Sequence, residues 1–249
     1  MARDRKNLAQ AQKENNLLLS DAKTNNVIQT ISLEELQKTY TELKRFPSIQ
    51  EINSSNFTFS YKNSIEVYNY KTNSSEITIS FDDNAQNNEY NSKAKAIAYT
   101  LDNNLFIANS TSPKIAVTEI SDKNIVSGQA IHRSEFGIYK GTFWSPEGTY
   151  LAFYQKDETN VTDYPLVDIN TYPASLMNIK YPMAGSTNEI VKVAVYDIQN
   201  QKTIYLNTGD DIDQYLTNIS WSPDEKNIYI SVLNRDQNHL KLNKCLKLR

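Results

Sequence analysis

One cysteine, two histidines, six glycines and no long apolar run put several chemistries out of reach of this 249-residue chain. Cys245 has no partner for an internal disulfide, and with only His132 and His239 beside it the chain lacks the ligand set of a structural zinc site. No metal or other cofactor is expected. No stretch of about 18 apolar residues occurs, so no membrane-spanning segment is expected. The basic start, Met1 to Lys6, is followed by no apolar stretch longer than Leu17-Leu18-Leu19, too short for a signal-peptide core. Net charge is only −3, which removes the broad positive field that nucleic-acid binding uses.

What the chain does have is tyrosine, 16 of them, set among alternating segments. Phe57 to Tyr61 alternates, turns at Lys62-Asn63-Ser64 and returns through Ile65 to Tyr70. A second pair, Ala96 to Tyr99 and Leu105 to Ala108, flanks Asp102-Asn103-Asn104 after a polar loop at 82–92. A third, Val191 to Tyr196 and Thr203 to Leu206, flanks Gln199-Asn200-Gln201. The first fifty residues read differently. Residues 2–19 are rich in Ala, Gln, Lys, Asn and Leu and are expected as a weak, solvated helix. Ser32 with Glu35 makes a capping box that predicts a short amphipathic helix from Leu33 to about Arg45, ended by Pro47.

One phrase occurs twice: Trp144-Ser145-Pro146-Glu147-Gly148 before Tyr150 to Phe153, and Trp221-Ser222-Pro223-Asp224 before Asn227 to Ile230. Each reads as a strand end, a tight turn and a buried strand. The number of short strands exceeds the seven or so of a single sandwich and fits radial repetition of four-stranded blades. We therefore expect an all-β chain, with residues 51–249 forming three or four blades of a β-propeller and residues 1–50 forming a helical, partly disordered lead. The interval from Trp144 to Trp221 exceeds one blade of about 40–45 residues, and the polar, proline-punctuated stretch Asp157 to Gly185 is the expected insertion.

Taken together, Glu135-Phe136-Gly137-Ile138, Gly141-Thr142-Phe143-Trp144-Ser145-Pro146, Leu151-Ala152-Phe153-Tyr154, Tyr164-Pro165, Tyr181-Pro182-Met183-Ala184-Gly185 and Leu233-Asn234-Arg235-Asp236-Gln237-Asn238 closely resemble the N-terminal propeller of the dipeptidyl peptidase IV family. The likeness is greatest to bacterial members, including prolyl tripeptidyl peptidases. It is dense over 128–240 and loose over 51–127. It implies about half of an eight-bladed propeller, from a serine peptidase that cuts after proline near a peptide's N-terminus, in the periplasm or cell envelope. The family's triad sits on an α/β-hydrolase domain and needs a G-x-S-x-G elbow. No two of the six glycines here bracket a serine in that pattern, so the catalytic domain is expected to be absent from this chain and no hydrolysis by it alone is expected.

The resemblance also implies that a propeller carboxylate holds the free α-amino group of the substrate, and Glu135, nine residues before Trp144, stands near that place. Many members have two adjacent glutamates there. This chain has Ser134-Glu135, a single acid, as in tripeptidyl-cutting relatives. From the residues alone Glu135 is a solvated loop acid. Arg133 is the second substrate-binding candidate, orienting Glu135 or meeting a substrate carbonyl, against the plainer reading of a surface arginine. His132 is read as a bystander, and Trp144 and Trp221 as packing anchors. Asp157 and Glu158 are adjacent on a strand, point to opposite faces, and are not an acid/base pair. The expected partners are a peptide with a free N-terminus, the missing hydrolase domain and a second copy meeting at an unpaired sheet edge. The competing reading is a non-enzymatic propeller used as a binding scaffold or sensor domain.

Overall fold

A computed structural model describes residues 8–13, 15–21, 23–209 and 213–245. The chain divides into two compact units, one holding the described residues up to Asp83 with Asn109–Pro113, the other holding Asn84–Ala108 and the chain from Lys114 onward.

The first unit contains two antiparallel sheets. Strands β1 (Leu8–Lys13), β2 (Asn16–Asp21) and β3 (Val27–Ser32) form one, in sequence order. The helix expected over residues 2–19 is therefore replaced by strand from Leu8 onward, while residues 2–7 and 14 lie outside the described residues. The physical reason is visible in the leucine run: Leu17 and Leu19 are buried and alternate with half-buried neighbours, so a period of two satisfies the core where helix propensity alone had no partner to pack against. Ser32 caps the next element as its sequence demands, its Oγ accepting the Glu35 N–H at 3.2 Å. Helix α1 spans only Leu33–Gln37, shorter than the expected run to Arg45, and Leu36 is its buried residue.

Strands β4 (Ile49–Ile52), β5 (Asn56–Tyr61), β6 (Ser64–Asn69) and β7 (Ser74–Ser80) make a four-stranded meander. Leu17, Leu19, Ile31, Leu36, Tyr40 and Phe46 share one core with Phe57, Phe59, Tyr68 and Tyr70. Residues before and after position 50 thus bury one another's apolar surface. Glu66, buried within this sheet, accepts hydroxyl hydrogen bonds from Tyr40, Ser64, Ser75 and Thr78, which supply the donors a buried carboxylate requires.

In the second unit, β8 (Gln86–Asn91), β9 (Ala96–Leu101), β10 (Asn104–Asn109) and β11 (Ile115–Ala116) form a sheet in the order β11-β10-β9-β8. The polar stretch expected as a loop at 82–92 is instead largely β8, a sheet edge, where polar side chains suit water on the open side. Between β9 and β10, Asp102 and Asn103 both take positive φ, the backbone of a two-residue hairpin turn.

The central sheet joins β12 (Ile125–Ser127), β13 (Thr142–Trp144), β14 (Tyr150–Asp157), β17 (Ile190–Asp197) and β18 (Lys202–Tyr205), in the order β12-β14-β17-β18 with β13 also on β14. β14 and β17 pair along their whole length, from Tyr150 opposite Asp197 to Asp157 opposite Ile190. The intervening residues leave the sheet as an exposed hairpin of β15 (Asp163–Asp168) and β16 (Ser175–Lys180), where the insertion was expected. The last sheet comprises β19 (Gln214–Trp221), β20 (Ile228–Asn234) and β21 (Leu240–Cys245).

The two copies of the repeated phrase fold alike, bond for bond. Ser145 Oγ accepts the Tyr150 N–H and Ser222 Oγ accepts the Asn227 N–H, at 2.9 and 3.0 Å. Each tryptophan donates its indole N–H to a backbone carbonyl on an earlier strand, Trp144 to Glu89 on β8 and Trp221 to Phe143 on β13. They clasp one sheet to the sheet before it as well as packing. Tyr154 adds a buried bond across the same seam, its hydroxyl donating to the Leu216 carbonyl at 3.0 Å. Tyr154→Phe is expected to lower the unfolding free energy by about 1 kcal/mol, read from the shift of the urea midpoint at unchanged slope.

Candidate functional site

Glu135 stands on a loop with a closed neck. Strand β12 pairs with Gln155 to Asp157 of β14, and β13 pairs with Leu151 to Phe153 of the same strand. Between them, Tyr154 receives both ends of the excursion: the Gly128 N–H donates to its carbonyl at 2.8 Å, and its own N–H donates to the Gly141 carbonyl at 2.9 Å. The chain thus leaves the sheet edge after Gly128 and rejoins it at Gly141, an Ω-type loop pinned at one residue of β14. At the neck the two passing backbones nearly touch. A Cβ on Gly141 would lie 2.3 Å from the Gln129 carbonyl carbon and oxygen.

The loop's tip is built from left-handed backbone. His132, Arg133, Ser134, Phe136 and Gly137 all have positive φ, between 50° and 73°, and Glu135 alone between them is extended. For residues other than glycine this conformation costs roughly 1–2 kcal/mol each, so the surroundings must over-determine it. The supports are specific. Ser134 N–H bonds the Ile131 carbonyl and Ile138 N–H bonds the Glu135 carbonyl, both at 3.0 Å. The Arg133 guanidinium lies 4.9 Å over the Tyr181 ring, and Tyr181 in turn packs against Tyr164 of the hairpin. The Phe136 ring packs on Tyr215 at 4.9 Å, and Arg235 holds the Tyr215 hydroxyl at 2.6 Å.

Arg133 and Glu135, the two expected binding residues, are thus neighbours on one exposed tip. Arg133 is engaged by Tyr181 rather than by Glu135. Among the described residues no cation lies within ion-pair distance of the Glu135 carboxylate, which faces water with an uncommitted charge. Below the descending limb of the loop lies a cavity of about 310 Å³, lined by Phe136, Ile138, Tyr139, Phe143, Tyr154 and Ile219 among others. The loop residues that line it follow Glu135, and Glu135 itself is not one of them.

Two residues at the root of the loop carry more than the sequence reading gave them. His132 is buried: its Nε2 accepts the Leu216 N–H at 3.3 Å, its ring meets Tyr215 edge-on at 4.9 Å, and its own N–H donates to Glu189 Oε1 at 2.5 Å. Accepting at Nε2 leaves the proton of the neutral ring on Nδ1. Nδ1 lies 3.4 Å from Glu189 Oε1 but lacks a hydrogen-bond partner. Burial, then the nearby positive charges of Arg235 and Lys156, push the His132 pKa down to about 4. Burial pushes Glu189 the other way, up from the usual carboxylate range, against the pull of Lys156. Lys156 sits 3.7 Å from Glu189 and 2.7 Å from Glu158, so Glu158 serves an ion pair and has no catalytic partner in Asp157. Glu189 carried no sequence signal beyond a lone acid before an apolar strand.

The histidine makes a pH prediction with a definite sign. Its native pKa is depressed, so between pH 6.5 and 4 the unfolded chain binds a proton that the native chain refuses, and stability falls as pH falls. The raised Glu189 pKa acts oppositely and offsets part of this loss. Over that window the wild type is expected to lose about 3 kcal/mol more than His132→Gln, which cancels the Glu189 contribution from the comparison. Equal losses, measured by urea unfolding at each pH, would show that His132 does not titrate against the fold.

Among the described residues no three His, Cys, Asp or Glu side chains converge as a metal site, and no helix is long and apolar enough to cross a membrane. Cys245 is buried, its thiol pushed up by burial.

Antiparallel sheets clasped by tryptophans, with a strained loop carried out from one of them, define a partial β-propeller module. The model of the dipeptidyl peptidase IV N-terminal region matches residues 42–249, and the chain belongs to that family. A crystal structure from Bacteroides ovatus, described as a dipeptidyl aminopeptidase IV, superposes with a TM-score of 0.87 at 41% identity, covering 96% of this chain and 34% of that one. Dipeptidyl peptidase 4 of Porphyromonas gingivalis shares the fold, with a TM-score of 0.69 at 18% identity over 96% of this chain and 36% of that one. The dipeptidyl-aminopeptidase B-type protein of Pyrenophora tritici-repentis is 30% identical over 122 residues, 43% of this chain and 14% of the relative. The chain thus spans about a third of the two solved relatives and a smaller share of the curated one.

Proposed function

We propose that this module works within a longer serine peptidase that removes short peptides from free N-termini, and that Glu135 pairs with the substrate's α-ammonium. The observation that carries the reading is the uncommitted Glu135 carboxylate held out on a strained, multiply supported loop in a chain of this family. Strained backbone is retained where it presents a group that works. Fixing the ammonium fixes the register of the bound peptide, and so the number of residues released. Arg133, held over the Tyr181 ring and exposed like Glu135, is proposed to meet a carbonyl of the same peptide. Hydrolysis itself belongs to a hydrolase domain outside these residues. The direct test compares a tripeptide with proline at its second position in free-amine and N-acetylated forms, titrated into the chain. Preference for the free amine supports the reading, and equal binding of the two forms refutes it.

A further inference from the structure

We propose that Glu189 is the positioning residue of the Glu135 loop, a buried latch supplied by a different segment and acting through the His132 backbone N–H. The inference rests on the amine-binding reading of Glu135 and extends it to a residue that touches no substrate.

Three observations converge. The first is location. Glu189 immediately precedes β17, is 57 residues from His132 in sequence, and is buried, yet its Oε1 receives the N–H of the first residue in the left-handed run. The second is the state of that run. His132, Arg133, Ser134 and Phe136 each occupy the left-handed region without being glycine, and such residues relax to right-handed or extended backbone once released. The third is the absence of slack at the root. The other His132 hydrogen bond, Leu216 N–H to Nε2, comes from β19, as does the Tyr215 ring that meets it edge-on, so two separate segments clamp one residue while the tip beyond it is exposed. The Glu189 bond, at 2.5 Å against 3.3 Å, is the shorter of the two.

The charges facing the latch suit this role. Lys156 on β14 lies beside Glu189 Oε2 and is shared with Glu158, leaving two carboxylates to one ammonium. The His132 ring lies 3.4 Å from Glu189 Oε1, and Arg235, bonded to Tyr215, acts electrostatically on that ring. Glu189 is thus held by one cation and spends its other oxygen on the loop. Removing that oxygen frees the His132 N–H in a buried place, where an unpaired donor drives the backbone to seek another arrangement.

The experiment uses the full chain and three variants. Glu189→Gln keeps an acceptor oxygen without charge, and Glu189→Met fills the volume with no acceptor. Glu189→Asp keeps the charge but draws the oxygen back by one methylene, and decides the matter if the methionine variant does not fold. Amide hydrogen exchange of residues 132–137 is expected to accelerate about tenfold or more in Glu189→Met and to stay within about threefold of wild type in Glu189→Gln, with β20 and β21 unchanged. Affinity for the free-amine X-Pro tripeptide is expected to fall about tenfold in Glu189→Met, with affinity for the acetylated peptide unchanged and the glutamine variant restoring the preference. Unchanged loop exchange in Glu189→Met overturns the latch. So does a loosened loop that binds the free amine as well as wild type does. If the wild type shows no free-amine preference, the reading of Glu135 falls, and exchange alone then decides whether Glu189 holds the loop.

Discussion

On the proposed amine-anchoring reading, Glu135→Gln is expected to lower kcat/KM of the longer peptidase proposed above by roughly 30- to 150-fold on a substrate with a free N-terminus, a loss of about 2–3 kcal/mol. The magnitude is that of an ion pair desolvated by the arriving substrate, since Glu135 is exposed and has no cation partner among the described residues. The loss belongs to the pair, so it should vanish on any substrate whose amine is acetylated, where wild type and variant become equally poor. It should also shrink with rising pH. An α-amino group loses its proton near pH 8, so wild-type kcat/KM falls toward the variant's value above that pH while the variant's profile stays flat there. A glutamine variant that cuts free-amine substrates at the wild-type rate would leave Glu135 a surface acid and move the anchoring elsewhere.

Gly141→Ala is expected to cost about 3 kcal/mol or more, the upper end for overpacking. The added methyl would sit 2.3 Å from the Gln129 carbonyl carbon and oxygen and 2.4 Å from its nitrogen. These are backbone atoms at the neck of the loop and cannot swing aside as a side chain would. Relief requires the neck to part, which breaks the bonds on Tyr154 that close it. The contrast is Gly137→Ala on the same loop. There φ is +73° and no atom lies within 4 Å of the added Cβ, so only the left-handed penalty of roughly 1–2 kcal/mol applies. Urea midpoints of the two variants measure the difference. If Gly141→Ala unfolds at the wild-type midpoint, the neck is not closed as described.

The hairpins were legible because their side chains alternate without interruption and their turns carry Asp, Asn and Lys. Phe57 to Tyr70 and Ala96 to Ala108 could be placed nearly to the residue. The leading residues were misread because composition speaks only for helix propensity. Leu17 and Leu19 reveal their strand only against Ile31 on the next strand and against Phe57, about forty residues on in sequence. Residues 86–91 were read as loop because an edge strand needs few apolar side chains, and its hydrogen bonds leave no mark on composition. At the site, the family pattern points to Glu135, and Arg133 enters as its neighbour on the loop. Nothing in the sequence tied His132 to Glu189, since a contact across 57 residues has no local signature. Gly141 did stand in a legible motif, but the reason for its smallness is the Gln129 backbone across the neck.

The tryptophan clasps point backward along the chain. Trp144 reaches the carbonyl of Glu89, and Trp221 reaches that of Phe143, so in both copies the donor is made after its acceptor. A ribosome extending this polypeptide at about 5–20 residues per second delivers each indole to a sheet already complete, and blade closure follows the order of synthesis. No segment needs to wait for a distant later one to satisfy its clasp. The same polarity sets the route of failure: a chain stalled before Trp221 still holds Trp144 on its acceptor, so damage near the growing end loosens the newest sheet and spares those behind it.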